Sequence, residues 1–263
     1  MLKEIWDYRQ MVISLVRKDL RGRYKGSVLG FMWTFVNPLF QLLVYTIVFQ
    51  YLLPQSIDKY YLYLFVALIP WIFFSAAITG GSTSVLSQKD LVKKIYFPRE
   101  VLPISYVTSC FVNMLFCFIV VFAVAIFAGT RFNVLGLLCL PIVMVVEYVL
   151  ALGIAMITSA VTVYFRDLEH ILGIISMAWM YFTPVLYAET MITERETIPG
   201  WFKFLFQHVN PMTSVISAYR DIIYYGKVPD MSTLLEATLL GIIFLVAGLV
   251  IFSKLKKHFA EEL

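Results

Sequence analysis

Apolar residues fall into six long runs separated by short polar stretches. The runs 30–53, 60–79, 101–127, 134–163, 171–187 and 232–252 predict six membrane helices. A bilayer core needs roughly 20 apolar residues per crossing, so the fifth run is short and the fourth long enough to tilt, kink or project. Residues 1–25 follow a different pattern. On a helical wheel Leu2, Ile5, Trp6, Val12, Leu15, Val16 and Leu20 share one half. Lys3, Glu4, Asp7, Arg17, Lys18 and Arg21 take the other, with Arg9 and Asp19 as exceptions. This amphipathic pattern predicts a helix lying in the membrane interface. With Glu4, Asp7 and Asp19 and no apolar centre, it does not read as a cleavable signal.

The connecting stretches carry the charge. Across 85–98, Leu86, Asp90, Lys93 and Lys94 sit at helical spacing, and Phe97-Pro98 ends the pattern because a residue before proline avoids the α region. A compact charged helix predicts a docking surface. Gly80-Gly81-Ser82-Thr83-Ser84 before it predicts a loosened helix end, and Arg166–His170 a tight charged turn. Over 200–226, Trp201–Val209 and Met212–Tyr225 are short amphipathic pieces split by Asn210-Pro211. Had one of them crossed, Lys254, Lys256 and Lys257 would face outside, so the pattern predicts an external re-entrant hairpin. This layout puts fifteen of the 21 Lys and Arg residues inside and six outside, with both termini cytoplasmic. The fold class is therefore an all-α polytopic membrane protein.

Composition agrees: 60% of the 263 residues are hydrophobic and 14% charged, against about 25% charged in soluble domains. Cys110, Cys117 and Cys139 lie in apolar runs without metal-ligand spacing, and read as small buried hydrophobes. No phosphate-cradling Gly-rich motif, zinc-binding His pair or nucleophile elbow occurs, so neither a bound cofactor nor catalysis is expected. Arg166-Asp167 and Arg220-Asp221 read as pairs of acid with base. Glu147 is a lone intramembrane carboxyl toward the outer end of its span, where a wet or protonated acid is tolerable; it is thin support for ion coupling. If the chain transports, its energy comes from a partner. The first span carries Phe31, Trp33, Phe35, Tyr45 and Phe49; the fifth carries Trp179, Tyr181, Phe182 and Tyr187. Such rings suit lipid contact and packing, or the stacking of sugar rings along a path. Periodicity does not separate the two.

Four segments carry a resemblance. Residues 21–42 read Arg-Gly-Arg-Tyr-Lys-Gly-Ser-Val-Leu-Gly-Phe-Met-Trp-Thr-Phe-Val-Asn-Pro-Leu-Phe-Gln-Leu, and 93–103 read Lys-Lys-Ile-Tyr-Phe-Pro-Arg-Glu-Val-Leu-Pro. With Tyr164-Phe165-Arg166-Asp167 and Asn210-Pro211-Met212 they resemble, in order, the permeases of polysaccharide-export ABC transporters. The resemblance implies a homodimer in a bacterial inner membrane, with two copies of a cytoplasmic ATPase subunit that bind the ATP and Mg. It implies that the coupling helix presents Gln88, Lys89, Asp90, Lys93 and Lys94 to that subunit, with Arg166 and Asp167 as a second contact. Arg21, Arg23 and Lys25 would meet the phosphates of a polyprenyl-diphosphate-linked glycan. The hairpin would be an external gate; membrane lipids, and no nucleic acid, would be the other partners. Other cargoes fit the same plan, namely teichoic acid, a drug or a small lipid, and a proton-coupled carrier using Glu147 is a separate reading.

Overall fold

The computed structural model describes residues 2–23, 26–49 and 57–262. Among them every regular element is helical. A chain in hydrocarbon must pair its backbone N–H and C=O groups internally, and a helix does so within one segment. The amphipathic N-terminal region is α1 (Leu2–Asp7) and α2 (Arg9–Gly22), broken at Tyr8. A 3-10 turn, Gly30–Met32, opens α3 (Trp33–Ile47); α4 is Tyr60–Ser82 and α5 is Lys89–Lys94. Then come α6 (Val101–Phe127), α7 (Val134–Tyr164) and α8 (Leu168–Phe182). The hairpin region contains α9 (Thr190–Thr193), α10 (Gly200–Phe204) and α11 (Pro211–Ile223). Last come α12 (Met231–Leu255) and α13 (Phe259–Glu262).

Among the described residues, five helical stretches are long and apolar enough to cross a membrane: Gly30–Ile47, α4, α6, α7 and Met231–His258. The run 171–187 departs from expectation. Its helix, α8, has 15 residues, about 22 Å, short of the ~30 Å hydrocarbon core. It stops at Phe182 because Thr183 precedes Pro184 and takes an extended conformation (φ −113°, ψ 139°). The helix expected over 85–98 is also shorter. A 3-10 turn, Leu86–Gln88, precedes α5, and Ile95 is already extended, so the chain reaches Phe97-Pro98 as a strap. Conversely, α4 runs straight through Gly80-Gly81 instead of loosening there. Those glycines serve packing: a Cβ on Gly81 would lie 3.0 Å from that of Ala155.

The bundle is built around α4, which packs against α3, α6, α7, α8 and α11. Of its most apolar window 78% is buried, against 17% for Gly30–Ile47, so α4 is the axis and α3 lies at the rim. The most extensive pairing is α7 with α12. Small residues permit it, since with no hydrophobic drive between helices in lipid, close backbone approach supplies the attraction. A Cβ on Gly153 would sit 2.5 Å from Leu245 N, and one on Gly248 2.5 Å from Gly153 O. The outer face of α12 (Leu235, Leu239, Ile243, Val246) stays exposed, as a lipid-facing surface should.

Contacts define two poles. At one, Tyr8 reaches Tyr96 O, Lys256 reaches Glu100, and Tyr164 reaches Leu255 O, so both terminal segments meet residues 95–100 there. At the other, Lys59 bonds Ala128 O and Tyr224 bonds Asp58 O. Gly153→Val should destabilise the detergent-solubilised chain by about 1–3 kcal/mol or more. Gly173→Val, with nothing within 4 Å of a new Cβ, is the matched control. Equal thermal-unfolding temperatures for the two variants would refute this account of the α7–α12 seam.

Candidate functional site

At the pole carrying both terminal segments, α5 rides on a small second core of Val85, Val92, Phe97, Val163, Phe252 and Phe259. This core fixes the helix face, so Lys89, Asp90, Lys93 and Lys94 point away from it and are exposed. Beyond them Ile95 is 54% and Tyr96 95% exposed, which leaves an apolar tip beside the charges. Behind α5 the chain is bolted down. Glu100 is buried and accepts a 2.5 Å bond from Lys256 Nζ. Arg99 donates to the Lys256 carbonyl and covers the Phe259 ring. Arg166 and Asp167 lie exposed in the α7–α8 turn and form no ion pair with each other among the described residues.

The three predicted phosphate-facing cations separate. Arg21 is exposed. Arg23 is committed to Asp19 at 3.0 Å and reaches Ser109 and Cys110 of α6 at 3.1 Å. Lys25 falls outside the described residues. Gln88 is half-buried and accepts from Lys18 at 3.3 Å, tying α2 to the segment before α5.

The aromatic positions form two sets, since α3 packs on α4 and α6 while α8 packs on α4 and α7. Phe31 is 48% exposed and touches Phe35 and Phe116 edge-on. Trp33 and Tyr45 are half-buried, and Phe49 leans on Tyr60. On α8, Tyr181 and Phe182 are exposed. Tyr187 donates to Tyr181 O, and Trp179 is turned inward against Phe74, its Nε1 donating to Asn210 Oδ1 at 2.9 Å.

The opposite pole is the hairpin, and its two arms differ. In the first, α10 widens into a π turn, Leu205–Val209, and among 200–209 only Phe206 is buried. With α8 this arm encloses a cavity of about 510 Å³ walled by Trp179, Phe182, Trp201, Phe202 and Phe206. The second arm, α11, is buried along almost its whole length. Asn210 makes the corner, capping α11 through Met212 N while its Nδ2 holds Phe182 O and Thr183. Two successive residues then fasten α11. Tyr219 donates to Glu147 Oε2 at 2.7 Å, and Glu147 is fully buried with Oε1 unpartnered, so it is not the wet carboxyl the sequence allowed. Arg220 is 3% exposed and lies 3.6 Å over the Tyr63 ring. It donates to the carbonyls of Tyr63, Pro184, Val185 and Tyr187. The expected Arg220–Asp221 pair is absent; Asp221 pairs with Lys227 at 3.0 Å. Burial raises the Asp221 carboxyl above its usual range, with Lys227 pulling the other way.

Glu100, Tyr219, Arg220 and Asn210 escaped the sequence reading as functional residues. A signal existed for Arg220, an arginine on the apolar side of an amphipathic helix, but its partners are backbone carbonyls, which sequence does not mark.

These features are those of a polytopic bundle with an exposed, charged helix bolted down at one pole and a buried hairpin at the other. The profile of the ABC-2 type transporter family matches residues 10–224, and the chain belongs to that family. It is 32% identical over 263 residues to the O-antigen export system permease protein RfbA of Myxococcus xanthus, covering 100% of this chain and 99% of the relative. An RfbA of Klebsiella pneumoniae is 33% identical over 96% of the chain and 95% of the relative. The polysialic acid transport protein KpsM of Escherichia coli is 21% identical over 92% of each.

Tyr219→Phe leaves both Glu147 oxygens unpartnered and should cost about 1–3 kcal/mol, whereas Glu147→Gln keeps an acceptor for the phenol and should cost less. Denaturant unfolding in detergent measures both, and the reverse order would refute the assignment. Arg220→Lys cannot serve four carbonyls and should cost about 3 kcal/mol or more in the same assay.

Proposed function

We propose that this chain is the permease subunit of an ATP-driven exporter that moves a lipid-linked, O-antigen-like polysaccharide out of the bacterial cytoplasm. One observation carries the reading: end-to-end similarity to an O-antigen export permease, covering 100% of this chain and 99% of that protein. The polysialic acid transporter among the relatives supports a polymer as cargo.

In this reading α8 and the strap after it make a sixth crossing of the inner membrane, and the α5 pole is cytoplasmic. The excess of Lys and Arg at that pole supports the orientation. The chain works as a homodimer whose path is lined by Phe31, Trp33, Phe35, Tyr45 and Phe49 of one helix and Trp179, Tyr181, Phe182 and Tyr187 of another. The exposed apolar faces of α3 and α8 support this. Two copies of a separate ATPase subunit hold the ATP and Mg and dock on Gln88, Lys89, Asp90, Lys93 and Lys94, with Arg166 and Asp167 beside them. Of the predicted entry cations Arg21, Arg23 and Lys25, Arg21 is exposed and is the one we assign to the charge of a polyprenyl diphosphate.

The mechanism follows from stiffness. Closure of the ATPase pair pushes on α5, which has a core behind it and so transmits the push into α4 and α6. At the far pole α11 is fastened, so the arm 200–209 yields and opens the external side.

Depleting the chain should trap lipid-linked glycan in the inner leaflet, read by mass spectrometry of extracted lipids; no accumulation would refute the export reading. Replacing Lys93 and Lys94 by Glu should lower ATP-driven export tenfold or more while membrane insertion survives, and unchanged export would refute the docking face. Glu147→Gln should retain export; its loss with the ATPase intact would favour a proton-coupled carrier instead.

A further inference from the structure

The hairpin's first arm, 200–209, carries its side chains the opposite way from a water-facing segment. Trp201, Phe204, Leu205 and Val209 point outward, each at least 45% exposed. Its polar side chains are instead tied to the protein: Lys203 to Thr193 O, Gln207 to Glu189 and His208 to Glu236. A helix on a wet surface turns its polar groups out. This arm is built for a hydrocarbon surround.

Depth agrees. The charged turn Arg166–His170 marks the inner edge of α8, and Trp179 and Phe182 come eight and eleven residues after Ile171. At about 1.5 Å per residue they lie about 12 and 16 Å along the helix, straddling the middle of a ~30 Å hydrocarbon core. The cavity of about 510 Å³ between them and the arm is thus at the depth of lipid tails. Asn210 lies in its wall with its side chain fully engaged: Oδ1 accepts from Trp179 Nε1 and Met212 N, and Nδ2 donates to Phe182 O and Thr183. The described wall therefore keeps no carboxylate, hydroxyl or amide free, and a sugar or a phosphate would go unpaired there. Hydrocarbon suits it, since an apolar cavity of roughly 150 Å³ already suffices to stay dry and hold benzene.

A way in is also present. Ile171, Ile175 and Phe182 recur at helical spacing and are all exposed, so an apolar strip of α8 runs up to the cavity. We propose that the cavity binds one acyl chain of a membrane phospholipid, held between Trp179 and Phe182 of α8 and Phe202 and Phe206 of the arm. Phospholipid meets that strip at every moment, whereas the isoprenyl chain of a cargo is rare, so mass action favours the acyl chain. The chain gives a loosely packed arm a packing partner, and the arm that yields during export rests on lipid. This depends on α8 being a crossing, as read above, and it narrows the path lining on that helix to Tyr181 and Tyr187.

The test reconstitutes the full chain in phosphatidylcholine nanodiscs with plain or dibrominated acyl chains, bromine being a contact quencher of indole. The emission of Trp179, taken as the difference between the parent and Trp179→Phe, should be mostly lost in the brominated discs. The double variant Leu205→Phe/Val209→Phe fills the cavity, and Trp179 emission measured the same way should survive in it. Should Trp179→Phe not fold, native mass spectrometry gives the same comparison: a phospholipid retained by the parent and lost from the filled variant. Unquenched Trp179 overturns the proposal, as do equal quenching or equal lipid retention in the parent and the filled variant. Emission restored by trace polyprenol makes the occupant an isoprenoid, and emission protected only when two copies share a disc makes it a second copy; either removes the phospholipid. Labelling of Ile174→Cys by a membrane-impermeant maleimide, above the parent's background, removes the α8 crossing itself. An unlabelled Ile174→Cys with unquenched Trp179 removes only the lipid site.

Discussion

A bundle in hydrocarbon has no water to satisfy its polar groups, and that constraint orders the rest of the structure. Arg220 shows it most fully. Buried without a carboxylate partner, the guanidinium is held by a tyrosine face and four backbone carbonyls, three of them in the strap that follows α8. The strap cannot be helical at Pro184, so its carbonyls need donors from elsewhere. Arg220 supplies them, and each side resolves the other's cost. One residue earlier, Tyr219 answers Glu147 on α7, so α11 is fastened in two directions within a single turn.

That fastening gives the hairpin unequal arms. The arm 200–209 has one buried residue, an irregular π turn, and side-chain ties at its surface such as His208 to Glu236 and Lys203 to Thr193 O. Elements with few buried contacts open at low free energy, while packed ones move as bodies. The same contrast holds at the α5 pole. The charged face of α5 is exposed, yet its support includes the buried Glu100–Lys256 bridge and a shared apolar cluster. The helix is thus accessible on one side and backed by packed residues on the other.

Between the poles, α4 is the common neighbour of α3, α6, α7, α8 and α11, and the α7–α12 seam is held at backbone contact by Gly153 and Gly248. Such close approach stiffens the bundle without large side chains.

Much of this was legible in the residues. Runs of apolar residues fixed the helical class and five long spans, because the transfer of side chains into lipid is nearly additive along a chain. Proline punctuation marked the corner at Asn210-Pro211, since a pre-proline residue avoids the helix wherever it falls; the break at Pro184 fell inside the run read as a span. The charged face of α5 and the family resemblance were equally local. What the chain did not disclose was pairing. Asp221 chose Lys227 over its neighbour Arg220, Arg23 turned to Asp19, and Glu147 met a tyrosine 72 residues away. The ends of α5 and α8 also moved. Hydropathy reports how deep a residue lies, but which groups meet depends on how each helix is rotated about its axis. Only the packed bundle sets that rotation.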